Sequence, residues 1–318
     1  MWSRATPATS AVATSVVAKS VAPPSAGAAG AAFQAERAFA DLRDLVAIGP
    51  RPAGSPGAAQ ARTLISDRLR QAGWPVAEQP FSVSAPDGRA VEMINVVGSR
   101  RGEKPGRIVL GTHYDTKHIE GMHFVGANDG ASGVALLLEL ARALGRAPRP
   151  YTVELAFFDG EEAFGPSIVP GDGLFGSNAM AAKLAGENAL GSIQALILVD
   201  MIGDRDLNLG LDTNSDPDLL RLAREIASGH GDAALFDPAQ TFGLVDDHMP
   251  FVDRGLERVL GLIDFQYGAK RSPGPLWHTE GDNLQAVSAE SLKRAGRVVV
   301  ELVTRLEQTA GPADAPNP

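Results

Sequence analysis

The chain of 318 residues contains no cysteine. Disulfides, thiolate nucleophiles and cysteine-based metal sites are therefore excluded. The compartment is left open, because disulfide-free proteins occur everywhere. No run of eighteen apolar residues occurs, so no membrane-spanning helix is expected. Basic residues are outnumbered, with 29 Lys and Arg against 38 Asp and Glu and a net charge of −9. That balance argues against a nucleic-acid or anionic-membrane partner, both of which favour basic patches. It is compatible with a cationic substrate such as a peptide N-terminus. What the chain does have is 44% apolar and 21% charged residues, ordinary globular content with enough apolar mass for one large core.

Residues 1–32 are rich in Ala, Ser, Thr, Val and Pro, and Arg4 and Lys19 are their only charges. They read as a disordered leader or linker, with a secretory signal as the sharper alternative, which would place the protein in the periplasm or outside the cell. Residues 33–310 read as one catalytic domain, and 311–318 as a disordered tail. Helical periodicity covers 34–48, 58–72, 131–145, 174–186, 217–228 and 289–307. A Gly- and Pro-rich loop, 49–57, separates the first two helices, with Arg51 expected to pin it to a helix end or a carboxylate. Strands are expected at 76–84, 90–98, 108–111, 152–158, 196–201 and 259–263. Alternation of this kind predicts a single α/β domain, with a central, mostly parallel, twisted sheet covered by helices on both faces.

Open α/β sheets bind ligands at the carboxyl ends of their strands. The unusual polar residues fall there. His113 and Asp115 follow the third expected strand, and Asp129 precedes a helix. Asp159, Glu161 and Glu162 follow the fourth strand, Asp200 ends the fifth, and His278 lies beyond the sixth. Clustered carboxylates and imidazoles repel or desolvate one another unless a cation joins them. A His and Asp/Glu set without Cys suits zinc with an open coordination position. Of adjacent Glu161 and Glu162, one can hold the metal while the other faces substrate as a general acid or base. Gly160 allows the sharp turn that presents them.

Six ordered motifs carry a resemblance: His113-Tyr114-Asp115-Thr116-Lys117, Phe124-Val125-Gly126-Ala127-Asn128-Asp129, Phe157-Phe158-Asp159-Gly160-Glu161-Glu162-Ala163-Phe164, Asp200-Met201-Ile202-Gly203, Asp246-Asp247-His248-Met249-Pro250-Phe251 and Trp277-His278-Thr279. Together they resemble the zinc-dependent glutaminyl cyclases, or glutaminyl-peptide cyclotransferases, within the zinc aminopeptidase-like superfamily. The resemblance implies one Zn2+ held by Asp129, Glu162 and His278. It implies Glu161 as proton shuttle, Asp200 and Asp246 as an acidic network beside it, and Trp277 as a wall of the substrate pocket. It implies peptide or protein N-termini as substrates, with N-terminal glutamine closing to pyroglutamate and ammonia leaving.

The alternative is a di-zinc aminopeptidase. His113 and Asp200 then hold a second ion, Asp129 bridges, and Glu161 activates water. Residues 126–133 resemble the peptidases, while Lys117, Phe124-Val125 and Trp277 resemble the cyclases. This chain departs from the animal cyclases in having Ser167 in place of a tryptophan and a longer 267–275 loop, both expected on the pocket walls. Taken one at a time the residues have plainer readings: His278 as a structural histidine, Glu162 as a solvated charge, Asp129 as a helix N-cap. Asp247 and His248 read as local loop braces, and Asp204 and Asp206 as a solvated turn or a cation site. A non-enzymatic binding domain on the same fold is the third class, and it should lack one of the ligands or Glu161, all of which are present.

Overall fold

The computed structural model describes residues 32–269 and 271–308. The expected leader up to residue 31 and the tail 311–318 lie outside them. The chain runs α1 (Ala35–Ile48), α2 (Pro56–Gln71), β1 (Val76–Ser84), β2 (Ala90–Arg100), β3 (Arg107–His113), α3 (Ala131–Ala143), β4 (Thr152–Phe158), α4 (Phe175–Gly186), β5 (Ile193–Asp200), β6 (Leu209–Asp212), α5 (Pro217–Gly229), β7 (Phe236–Phe242), α6 (Met249–Val252), β8 (Val259–Ile263) and α7 (Ala289–Gln308). The main sheet has the order β1-β2-β4-β3-β5-β8. Strand β2 pairs antiparallel with β1 and β4, while β3–β4, β3–β5 and β5–β8 are parallel. The expected α/β architecture is the observed one.

Period-two alternation along the strands builds two cores. Ile108, Leu110, Ile197 and Val199 face one core with α1, α2, α3, α5 and α7. Val109, Leu196, Leu198 and Phe158 face the other with α4 and Phe251 of α6. Helix α3 is apolar around most of its circumference and is buried almost throughout. It lies between the sheet and α1 and α7, as a helix hydrophobic on all sides must.

Register then places the chemistry. His113 of β3 sits opposite Phe158 of β4, and Asp200 of β5 opposite Ile263 of β8. The carboxyl ends of these parallel strands therefore meet along one edge. Three elements were not expected: the two-stranded sheet β6–β7 and the single-turn helix α6. They fill 205–257, where the periodicity predicts only the helix that became α5.

Candidate active site

His113 is the last residue of β3 rather than part of the following loop, and it is buried. Its Nε2 lies 3.2 Å from Asp129 Oδ1 and 3.2 Å from Asp200 Oδ1. Its Nδ1 lies 3.5 Å from Asp115 Oδ1. On the other side of Asp129, His278 Nε2 is 3.5 Å from Asp129 Oδ2 and 3.1 Å from Glu162 Oε1. Two groups result, His113–Asp129–Asp200 and Asp129–Glu162–His278, each with its ligand atoms within 4.8 Å of one another. Asp129 belongs to both.

Local structure explains why Asp129 is free to do this. The N-cap of α3 is Gly130, at φ 91°, and no side chain caps the helix. The expected N-cap role for Asp129 does not hold, because its carboxylate turns toward the two histidines instead. Asp282 accepts the backbone N–H groups of Asn128 and Asp129 at 2.7 and 3.1 Å and so fixes the turn. Sequence reasoning missed Asp282, which sits in the turn-like run Thr279-Glu280-Gly281-Asp282; only its proximity to His278 signalled it. Asn128 in turn accepts the N–H of Gly203, tying the turn to the chain after Asp200.

Glu161 and Glu162 follow β4 through Gly160, at φ 72°. A side chain on Gly160 would meet Met93 Sδ at 2.6 Å, so the turn needs glycine for space as well as conformation. Asp115 Oδ1 accepts the N–H of Glu161 at 3.1 Å and its Oδ2 that of Glu162 at 3.3 Å. One buried carboxylate thus holds both glutamates and faces His113. Lys117 Nζ donates to the carbonyls of Ala163 and Gly165 and lies 3.7 Å from Glu162 Oε2. Arg51 is fully buried and donates to the carbonyls of Gly49, Tyr114, Val125 and Gly126. It pins its loop to backbone carbonyls, not to the expected helix end or carboxylate, and braces the segment entering Asp129.

The site opens into a cleft of about 220 Å³, lined by Lys117, Asp129, Glu161, Glu162, Asp200, Asp246, Trp277 and His278, with Ser167, Ile168, Leu244, Val245 and Phe265 on its apolar walls. Trp277 stacks on the His278 imidazole with ring centroids 3.8 Å apart. Ser167 is on the wall as expected. The described residues of the 267–275 loop contribute none of the cleft's lining; its Gly268 and Ala269 face a different cavity. His113 does not line the cleft either. His248 reaches beyond its loop, with Nε2 3.2 Å from Asp212 Oδ2 in β6. The buried oxygens of Asp247 find no hydrogen-bond partner among the described residues.

Burial pushes the Glu161 carboxyl well above its usual range; His113 opposes the shift, and Glu162, Asp246 and Asp247 add to it. Burial and the Asp200 charge push Asp246 up to about 7. Burial disfavours a charged His113, but Asp200, Asp115 and Asp129 outweigh it and raise the imidazole well above its ordinary value. Asp129 goes the other way: burial is overcome by His113, His278 and Arg51, and its carboxylate stays ionised. A buried, ionised Asp129 whose Oδ2 lacks a hydrogen-bond donor, beside Glu162 and an imidazole, is the donor set a borderline divalent cation takes. The residues present fit a zinc ion.

Residues 95–303, well over half of the chain, match the family described as Peptidase family M28. The chain belongs to that family. A Bos taurus glutaminyl-peptide cyclotransferase is 32% identical over 298 residues, covering 81% of this chain and 78% of the relative. The crystal structure of an Acidobacteriales bacterium glutaminyl cyclase is similar with a TM-score of 0.82 and 37% identity, covering 91% of this chain and 99% of that one. A Porphyromonas gingivalis glutaminyl cyclase is similar with a TM-score of 0.77 and 29% identity, covering 86% and 98%. The resemblance to the glutaminyl cyclases of the zinc aminopeptidase-like fold is borne out.

Proposed function

We propose that this chain is a glutaminyl-peptide cyclotransferase acting on peptide or protein N-terminal glutamine. The observation that carries the reading is the one-sided opening of the site. Asp129, Glu162 and His278 line the cleft together with Glu161 and Asp246, while His113 is sealed behind them. A zinc ion held by Asp129, Glu162 and His278 would supply Lewis acidity toward the γ-amide carbonyl of the bound glutamine.

The chain's own groups carry the rest. Glu161 takes a proton from the α-ammonium, freeing the amine to attack the carbonyl carbon of the side-chain amide. A C–N bond forms as the bond to the amide nitrogen breaks; Glu161 returns its proton to that nitrogen, which leaves as ammonia, and the second proton of the new ring nitrogen passes through the neighbouring carboxylates to solvent. A raised carboxyl is suited to a group that must hold the proton between these steps. Asp246 and Asp200 share the proton load among close carboxylates. Trp277, stacked on His278, forms the apolar wall that orients the side chain and excludes water.

The intact His113–Asp129–Asp200 group supports one other reading, a di-zinc aminopeptidase in which Glu161 activates water. Incubation with a Gln-initiated and a Leu-initiated peptide, followed by mass, separates the two. Loss of ammonia from the first with the second intact is the expected result. Release of free leucine would sink the cyclase reading. With this reading goes a further proposal, suggested by the composition of residues 1–32, that the protein is exported to the periplasm or outside the cell.

A further inference from the structure

Exposed apolar side chains are rare on this chain, and they gather at one opening. Among the described residues two large apolar side chains are exposed, Val169 at 52% and Val245 at 59%. Val245 lines the cleft beside Leu244, and Val169 directly follows Ile168, which lines it too. A single exposed valine is ordinary, but two at the same functional opening mark a contact surface. The lining also divides by burial. Its carboxyl groups, those of Asp129, Glu161, Glu162, Asp200 and Asp246, are all buried at the floor. The exposed members, Pro166, Ser167 and Val245, carry no charge.

Both loops are fastened. Asp172 accepts the N–H groups of Phe164 and Gly165 at 2.7 and 2.8 Å. Val169 and Asp172 exchange backbone hydrogen bonds at 3.0 and 2.9 Å. The loop then returns to the paired glutamates, where Leu174 donates to the carbonyl of Glu161 at 2.8 Å. Ile168 packs on Gly173, where a side chain would meet its Cγ1 at 2.9 Å. In the other loop, the Asn214 side-chain amide donates to the carbonyl of Leu244 at 2.8 Å. The valines are thus presented on tied turns, as a pre-formed subsite requires.

We propose that Val169 and Val245, with Ile168 and Leu244, form the subsite for the side chain of the substrate's second residue and select an apolar one. The inference rests on the cyclotransferase reading. An N-terminal glutamine commits both its amine and its side-chain amide to the buried floor. The chain that follows it leaves through the mouth, so the second residue is the first to meet the valines. An apolar side chain there covers the valines and is covered by them, and both lose area to water. An acidic side chain gains nothing from those walls and approaches a floor dense in carboxyl groups. A closed apolar pocket discriminates by roughly 10–200-fold per methylene, and walls as open as these give about three- to tenfold between phenylalanine and glycine.

The test measures kcat/KM of the zinc-loaded protein on Gln-Phe, Gln-Gly and Gln-Glu peptides of otherwise identical sequence, read as ammonia release. Phenylalanine above glycine by about three- to tenfold is expected, with glutamate below glycine. Val169→Ser combined with Val245→Ser should bring the Phe/Gly ratio toward one, while Tm stays within about 2 °C because both side chains are largely exposed. Val245→Lys should raise Gln-Glu relative to Gln-Phe, since it sets a positive charge where the apolar wall stood. A Phe/Gly ratio near one in the parent overturns the subsite and leaves the reaction standing. So does a ratio that the double variant does not change. A flat ratio together with a concentration-dependent dimer gives the valines to a second copy of the chain and overturns it as well. No ammonia from any of the three peptides removes the cyclotransferase reading itself, and the subsite with it.

Discussion

Asp115 is the residue on which the geometry of the paired glutamates turns, and Asp115→Asn tests that. The carboxylate uses one oxygen for the N–H of Glu161 and the other for the N–H of Glu162. An asparagine has one acceptor oxygen, so one N–H would face the amide's own N–H2. The loss is one charge-assisted hydrogen bond in a fully buried place, about 2 kcal/mol. For a domain of this size that lowers Tm by roughly 3–4 °C. Displacing the Glu162 backbone also disturbs a proposed metal ligand, and residues that orient ligands are worth about 10–100-fold in affinity. The assay is calorimetric melting of the zinc-loaded variant together with chelator competition for zinc. A Tm within about 1 °C of the parent and zinc affinity within about twofold would refute the reasoning, because a surface-like response is what an unimportant contact gives.

Glu161→Gln should lower kcat by about 10²–10⁴, the usual worth of a general acid–base group, with the zinc content by elemental analysis unchanged. Chelation of the metal should abolish activity, and about one equivalent of zinc should restore it; a requirement for two would favour the peptidase reading. The pH dependence of stability has a definite sign. The folded pKa of Asp264 is raised to about 7 from 3.8, so in that window the folded state binds more protons and stability falls as pH rises. The loss between about pH 5 and 8, read from denaturant midpoints, should be shallower in Asp264→Asn than in the parent.

The strong periodic segments were legible because local pattern and tertiary role agree in them. The 13 residues of α3 and the 20 of α7 carry long apolar registers, and the parallel strands are continuous apolar runs. The elements that were missed depend on each other. β6 has four residues, and β7 contains Pro238 and Gly243 follows it; they become strands by pairing with one another through an irregular register. α6 is a single turn. The ligand residues were legible as strand-end anomalies, but their supports were not. Asp282 looks like an ordinary turn residue until the fold brings it under the Asn128–Asp129 turn, 153 residues away in sequence from Asp129. The 267–275 loop is adjacent in sequence to Trp277, which suggests a pocket wall; the chain instead folds back so that Gly268 donates to Asp204.

On the proposed reading, what favours cyclisation over hydrolysis is access at the two histidines rather than ligand identity. Every residue needed for either set of metal ligands is present, and both sets share Asp129. The two sets differ in how open their histidines are. The His278 side chain is 17% exposed and stacks on Trp277 at the cleft, whereas the His113 side chain is 1% exposed and held between two carboxylates. Cyclisation needs the nucleophile to arrive with the substrate, which the open side permits. The His113 imidazole, raised by Asp200, Asp115 and Asp129 against the cost of burial, faces Asp129 and Asp200 from behind. That leaves the acidic residues at the front, Glu161 and Asp246, crowded, buried and reluctant to ionise, the condition in which a carboxyl can carry a proton from an amine to ammonia.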